Sequence, residues 1–466
     1  MKLINFSTNI KKTLNFLIFL FPGTFIIGNA AVNINLLLIS AIGILFYKKE
    51  VFKLDKNLTT ICVVTFFVYV VIATILNHLT SSSNNNILKS IIYLRYLIFL
   101  LVLSCMVKKN DLNFKYFIFS CLLFSSIVSL TVLHEEITGQ NLLGYRTHPY
   151  HNPGIFGNEL VSGGYIQKFA CLGIFFAPFV LTKKNKMLFF CLLVLVMFFS
   201  LSIFVSGNRT PLLLFGLFLS LGILLVKHMR LPFILGSILS LLIFVSIINT
   251  QQNYKEYWRS FYQNVNKLVV PGSKYFIFSE VKKDYSEIKN KTDPKDRTPG
   301  LEEGKFDYGF WKRKNWEGFK PTTFGSGHRI IWVTAIETWL DNPIIGNGIK
   351  SFREKCKSKL DTPNRVCENH THHYYLEILN DTGLIGVFLI IFPIYILLIT
   401  RFKKNYTMGR LNKQNSFIFY SIFLSLVIEF FPFRSSGNFF STYNSALIFL
   451  LIGLFLNYQI SSKTKS

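Results

Sequence analysis

Repeated apolar runs, each close to the length that crosses a bilayer, constrain this chain more than any other feature. A hydrocarbon core needs about 20 apolar residues per helical crossing. Runs of that kind fall at roughly 13–31, 32–47, 58–77, 88–107, 113–134, 165–182, 187–205, 210–226, 231–249, 375–400, 416–432 and 438–458. With 51% apolar residues and 49 Phe, the composition agrees. The expected fold class is an all-α polytopic membrane protein of about twelve transmembrane helices with one large external loop. The first run, behind Lys11 and Lys12, is similar to a cleavable signal peptide. The spans behind it favour a retained first helix. No internal repeat is visible, and the one low-complexity stretch is SSSNNN.

A net charge of +26 raises the question of nucleic acid. Binding of that kind needs a basic patch interleaved with aromatics, and the lysines and arginines here are dispersed instead. They gather in alternate short loops: Lys48, Lys49, Lys53 and Lys56; Lys108, Lys109 and Lys115; Lys183, Lys184 and Lys186; Lys227 and Arg230; Arg401, Lys403, Lys404, Arg410 and Lys413; and finally Lys463 and Lys465. The positive-inside rule makes these loops and both termini cytoplasmic. The opposite short connections carry few cations, among them Lys89, Arg209 and Arg434.

That orientation gives three expected regions: an N-terminal bundle of about nine helices over 1–249, including an external loop at 134–164; a large external loop over 250–371; and a C-terminal bundle of about three helices over 372–466. The large loop carries charge of both signs. Little periodicity is visible up to about 320, so loose order is expected there. From 329 the spacing of Arg329, Trp332, Val333, Ile336 and Leu340 predicts an amphipathic helix on the membrane surface, ended by the turn residues NPIIGNG.

Cys62, Cys105, Cys121, Cys171 and Cys191 fall in apolar spans and read as core residues. Cys356 and Cys367 lie in the external loop, where an oxidising compartment would allow them to pair. Closing that loop would contribute roughly 3 kcal/mol in the chain-entropy model. Two unpaired thiols are the alternative.

NHTHHYYLEILNDTGLIG, residues 369–386, crowds three of the nine histidines at the mouth of a span. Helical spacing predicts one face for His372, Tyr375, Leu376, Leu379 and Gly383, with Gly383 and Gly386 letting another helix come close. A ring at a helix N-terminus is disfavoured as the cation, so it is suited to accept a proton. A simple polar cap is the competing reading. A zinc site using Glu368, His370, His372 and His373 is a further one, but the spacing lacks the i, i+4 pairing of a helical zinc site.

The stretch HHYYLEILNDTGLIG resembles the signature of the bacterial O-antigen ligase and O-antigen polymerase superfamily, with His372, Gly383 and Gly386 in the matching positions. His373 departs from the amide or hydroxyl usual beside the first His. SGNRTPLLL, with Arg209, is similar to the family's Ser-x-x-Arg turn, and GHRIIWVTAIETWLDNPIIGNG, with Arg329, to its Arg-led helix and turn. GIFGNELVSGGY is similar to the end of the family's first external loop, with Arg146 upstream and Glu159 inside it.

The resemblance implies a GT-C-like integral-membrane glycosyltransferase of the bacterial inner membrane, its large loop periplasmic. It implies a donor glycan carried on undecaprenyl diphosphate, a lipid A-core or other glycan acceptor, surrounding membrane lipids, and no metal or other cofactor. Ligase, polymerase and protein O-oligosaccharyltransferase share these motifs. The expected roles follow from chemistry. A departing diphosphate needs cationic forks, for which Arg209 and Arg329 lead, followed by Arg146, Arg434 and Arg95, the last a costly charge inside a span. Interfacial snorkelling is the bland alternative for each. The attacking hydroxyl needs a base, for which His372 is expected, supported by His370, His373 and Tyr375. Glu159, Glu377 and Glu429 are weaker candidates, more often partners of an arginine. Trp332 and Trp339 either line a glycan path or pack. A transporter would place its polar residues near the midplane with access from both sides; here they collect at one face.

Overall fold

Lipid offers no hydrogen-bond partners, so a chain this apolar must close its backbone bonds inside helices. The computed structural model describes residues 2–53, 55, 57–80, 86–144, 150–157, 159–181, 185–259, 327–360, 365–408, 413–432, 434 and 437–458. Over these residues the regular structure is helical, without strands.

The helices run α1 (Lys2–Ile27), α2 (Asn29–Tyr47), α3 (Leu58–Thr80), α4 (Asn86–Tyr93), α5 (Arg95–Lys108), α6 (Phe114–Thr138), α7 (Ser162–Gly173), α8 (Phe176–Val180), α9 (Asn185–Val205), α10 (Arg209–Leu225), α11 (Arg230–Thr250), α12 (Gly327–Leu340), α13 (Phe352–Lys355), α14 (Tyr374–Met408), α15 (Lys413–Glu429) and α16 (Thr442–Leu456). Among the described residues, nine helical stretches are long and apolar enough to cross a membrane. Three more, α10, α15 and α16, are apolar but shorter and lie where spans are expected. The protein is thus a multi-pass membrane protein.

Helices α1 and α2 pair, as do α6 with α7, α9 with α11, α3 with α14, and α5 with α16. The short α16 is the centre of the bundle: every residue from Ser445 to Leu456 is buried. A helix apolar on all sides is stable only when surrounded, and α16 fits that place. The outer helix α11 exposes Leu241, Leu242 and Val245, as a lipid-facing helix does.

Several expected spans are interrupted. The fourth breaks at Leu94, so Arg95 begins α5 rather than sitting within a continuous helix. The sixth breaks between α7 and α8. The tenth, α14, runs on to Met408 but loses helical geometry at Gly383.

Helix α12 forms as expected, but its buried Ile331, Thr334, Ala335 and Thr338 face protein. It packs on α14 and on the short turns that follow it. Most of the segment expected to be loosely ordered, residues 260–326, lies outside the described residues; 252–259 is helical.

Candidate active site at the mouth of the C-terminal bundle

The turn SGN at 206–208 sets α10, whose first residue is Arg209. Gly163, at the start of α7, lies so close to this turn that a Cβ would stand 2.3 Å from Ser206 Oγ and 2.7 Å from Asn208 Cβ. Only glycine allows the approach, and the Gly163 N–H uses it to donate to Asn208 Oδ1 at 2.9 Å. Arg209 donates to the Tyr257 carbonyl at 2.6 Å, and its guanidinium lies 3.6 Å over the Tyr257 ring. Tyr257 donates in turn to the Gly207 carbonyl at 2.6 Å. Helical segment 252–259 therefore seats Arg209.

About a turn and a half deeper along α7, roughly 7–8 Å at 1.5 Å per residue, Lys168 is buried. It donates to Glu429 Oε1 at 3.0 Å and to Asn444 Oδ1 at 2.6 Å, with the Tyr374 hydroxyl 3.4 Å away. Tyr374 donates to the same Glu429 oxygen at 2.7 Å. Arg434 pairs with Glu429 Oε2 at 3.3 Å, donates to the Glu429 carbonyl at 2.8 Å and lies 4.2 Å over the Tyr374 ring. The first turn of α7 thus meets the start of α10, while the first turns of α14 and α16 meet Lys168 in the middle of α7.

At the mouth of α14 the three histidines differ. His373 is the N-cap: its Nδ1 accepts from the Leu376 N–H at 3.4 Å and its Nε2 donates to the Pro432 carbonyl at 3.0 Å. Those contacts assign the neutral Nε2–H tautomer. Burial pushes the His373 pKa down to about 4; the Pro432 contact opposes this and Arg434 adds to it. The Trp332 ring stands edge-on to His373, centroids 5.3 Å apart. The buried Trp332 indole N–H has no hydrogen-bond partner among the described residues.

His372 is not on the helix. It precedes α14 in a bend with a left-handed φ of 54°, which corrects the expected common face with Leu376 and Gly383. Histidine tolerates that region better than most side chains, and a left-handed non-glycine residue is a recurrent mark of functional sites. Its ring lies 4.0 Å from that of His370. Tyr375 is turned away, its hydroxyl 2.9 Å from that of Tyr395 and donating to the Phe430 carbonyl at 2.5 Å.

Gly383 has φ 62° and ψ −167°, a region essentially restricted to glycine. The break it makes is filled by the NPIIGNG turn, a loop and not the neighbouring helix expected. Leu384 and Ile385 N–H groups donate to the Pro343 and Ile344 carbonyls, while Asn347 and Gly348 N–H groups donate to the Asn380 and Asp381 carbonyls. Gly346 mirrors Gly383, since a Cβ on it would stand 2.4 Å from the Gly383 nitrogen. Backbone freed inside a span is satisfied by this loop, as it must be in lipid. Asp381 accepts from the Lys350 N–H at 2.6 Å and from Ser351 at 3.2 Å. Trp339 donates to the Pro343 carbonyl at 2.9 Å, a packing role. Gly386 faces the Thr382 side chain.

Residues 352–360 and 365–367 are held in two ways. Cys356 and Cys367 form a disulfide, Cα atoms 5.3 Å apart. Arg365 grips Glu337 through two bonds of 2.7 and 2.6 Å, with both side chains buried.

The remaining expected residues are spread out. Arg95 bonds to the Ile92 carbonyl and to Tyr96, whose ring its guanidinium covers. It acts on Lys350, whose pKa is lowered by burial, raised by Glu377 and lowered by Arg95. Glu159 is exposed. Glu377 is buried and accepts from the Phe439 N–H, and Glu429 is the partner of Arg434 described above. Arg146 lies outside the described residues, as does the side chain of Arg329 at the start of α12. Sequence reading missed Lys168 and Asp381. The signal for both was available: an ionisable residue inside a span is costly and rarely idle.

These features define a multi-pass helical membrane protein with a cationic, histidine-bearing mouth at the broken helix α14. Residues 192–391 match the family described as O-antigen ligase, which supports membership of the O-antigen ligase and O-antigen polymerase superfamily and a glycosyltransferase activity of that general kind. The match contains Arg209, Arg329, the three histidines, Gly383, Gly386 and the disulfide; Arg95, Arg146, Glu159, Lys168, Glu429 and Arg434 lie outside it. No curated protein matches the chain.

Proposed function

We propose that this protein transfers a glycan from undecaprenyl diphosphate to an acceptor hydroxyl, that of lipid A-core, at the periplasmic face of the inner membrane. The observation that carries the reading is the His372 bend at the mouth of α14, where Arg434 lies over Tyr374, the first residue of that helix, inside and around the segment that matches the family. Helix N-termini and guanidinium forks both favour phosphate oxygens.

In this reading His372 takes the proton of the acceptor hydroxyl as its oxygen bonds to the anomeric carbon. The carbon–oxygen bond to the diphosphate breaks, and the electron pair leaves with the diphosphate. Arg209, Arg329 and Arg434 receive that charge, with Arg146 a further candidate from the neighbouring loop; arginine rather than a metal ion supplies the positive field. A positioned base contributes about a hundred- to ten-thousandfold. His373 does not share the task, because its Nδ1 holds the cap and its Nε2 the Pro432 carbonyl. The unpartnered Trp332 indole offers a donor to the glycan.

A strain lacking the gene tests the reaction. Bare lipid A-core with long glycan accumulating on the polyprenyl carrier is the expected result. Core capped by one repeat unit would assign the polymerase branch instead, and unchanged surface glycan would overturn the transfer to core.

A further inference from the structure

Four charged or polar side chains that the transfer chemistry leaves unused meet in the protein interior. Lys168 comes from α7, Glu429 from the end of α15, Tyr374 from the first turn of α14 and Asn444 from the first turn of α16. The Lys168 and Glu429 side chains are 7% and 3% exposed. A lysine so placed inside a span is expensive to bury and must be paired. Both oxygens of Glu429 are used: Oε1 accepts from Lys168 and Tyr374, and Oε2 faces Arg434.

The geometry does more than neutralise charge. The segment that follows Glu429 supplies the Pro432 carbonyl that fixes the His373 ring, and it supplies Arg434 itself. Tyr374, gripped by Glu429 and covered by Arg434, is the residue next to the His373 cap. Lys168 and Gly163 share α7, so the same helix touches both the Arg209 turn and this cluster. Glu429 thus ties Arg434 and Tyr374, at the mouth of α14, to Lys168 on the helix that also meets the Arg209 turn.

We propose that Lys168 and Glu429 are positioning residues: their buried ion pair sets Arg434 and the capped mouth of α14 in the arrangement that glycan transfer uses. The inference rests on the transfer reading above for its kinetic part only. Neither side chain touches the reacting atoms. They act through Arg434, Pro432 and Tyr374.

The test uses the full chain, purified in lipid nanodiscs, as Lys168→Met, Lys168→Arg, Glu429→Gln and the Lys168→Met/Glu429→Gln double variant. Transfer from a polyprenyl-diphosphate-linked glycan is measured along with hydrogen exchange of the peptides spanning 372–380 and 429–434. Removing one partner of a buried pair is strongly disruptive where a unit is broken. Lys168→Met and Glu429→Gln should each lower kcat by about tenfold or more with the chain still monodisperse, and Lys168→Arg should recover most of the loss. The double variant should be little worse than the worse single, because the residues act as one unit. Exchange in both peptides should rise in each single variant and stay near wild type in Lys168→Arg.

Wild-type kcat in Lys168→Met, or losses that simply multiply, would overturn the proposal. If the wild type itself transfers no glycan, the transfer reading fails and the exchange measurement alone decides. Unchanged exchange at 372–380 and 429–434 in Lys168→Met then rejects the pairing as the positioning device. Variants too unstable to purify are replaced by Lys168→Gln, for which the same outcomes hold.

Discussion

His373 commits both ring nitrogens, one to the Leu376 N–H and one to the Pro432 carbonyl, and this gives the neutral ring a measurable cost of protonation. The unfolded ring binds a proton near pH 6.5, whereas the folded ring resists down to about 4. Between those values the unfolded state holds more protons, so stability rises with pH. The contribution is complete above 6.5 and is lost as pH falls toward 4. From pH 7 to pH 5 the wild type should lose roughly 2 kcal/mol from this group. Asparagine can cap without titrating, so His373→Asn should flatten that part of the slope. Thermal unfolding in detergent at the two pH values checks it; parallel slopes for the two proteins would contradict the assignment. The neighbouring His372 gained its place in the sequence reading from helical spacing, and that argument fails, since the helix begins two residues later. What singles it out in the structure is the left-handed backbone, which spacing cannot reveal.

At the scale of elements, the broken helix α14 is the feature on which the mouth depends. Gly383 adopts a backbone that costs other residues about 1–3 kcal/mol, and a Cβ there would stand 2.2 Å from the Ile344 carbonyl oxygen. Gly383→Ala should therefore destabilise by more than the backbone cost alone, because the NPIIGNG turn must withdraw and free its hydrogen bonds. Gly139→Ala is the control: that residue also has a positive φ, 74°, but nothing lies within 4 Å of its would-be Cβ. Melting temperatures of the two variants measure the difference, and equal shifts would show that the turn does not rely on the close approach. Hydropathy made the spans legible because burial in lipid demands apolar length. It could not show the breaks at Leu94 and Gly383, since one residue barely changes a window average. Nor could it pair Lys168 with Glu429, 261 positions apart. Gly383 and Gly386 were visible, but Gly383 admits the loop after α12 rather than a helix, and Gly386 faces Thr382 of its own helix.

For the whole molecule, the alternation of basic loops predicts which side the mouth faces. Cysteines placed at Lys184 and Lys404 should be shielded from a membrane-impermeant thiol reagent in intact cells, and one at Asn290 should react. Labelling at Lys404 in sealed cells would reverse the orientation. The Cys356–Cys367 disulfide stands on the same side as the histidines, tied to them through Val366 and Leu376 in one small apolar cluster with Ile331 and Phe352. A disulfide persists in an oxidising compartment, which agrees with a periplasmic mouth. The pairing of Cys356 with Cys367 was legible in the sequence, because both cysteines fall together in a polar segment outside the apolar spans. The sequence carried the interior charges poorly, because their partners come from distant spans.

The proposed role of His372 as the base for glycan transfer is decided by turnover of purified His372→Ala with a polyprenyl-diphosphate-linked donor. A loss of about a hundredfold or more in kcat is expected, with the disulfide formed and the melting temperature within a few degrees of wild type, while His370→Ala keeps most of its activity. Transfer by His372→Ala at the wild-type rate would mean that another group takes the proton.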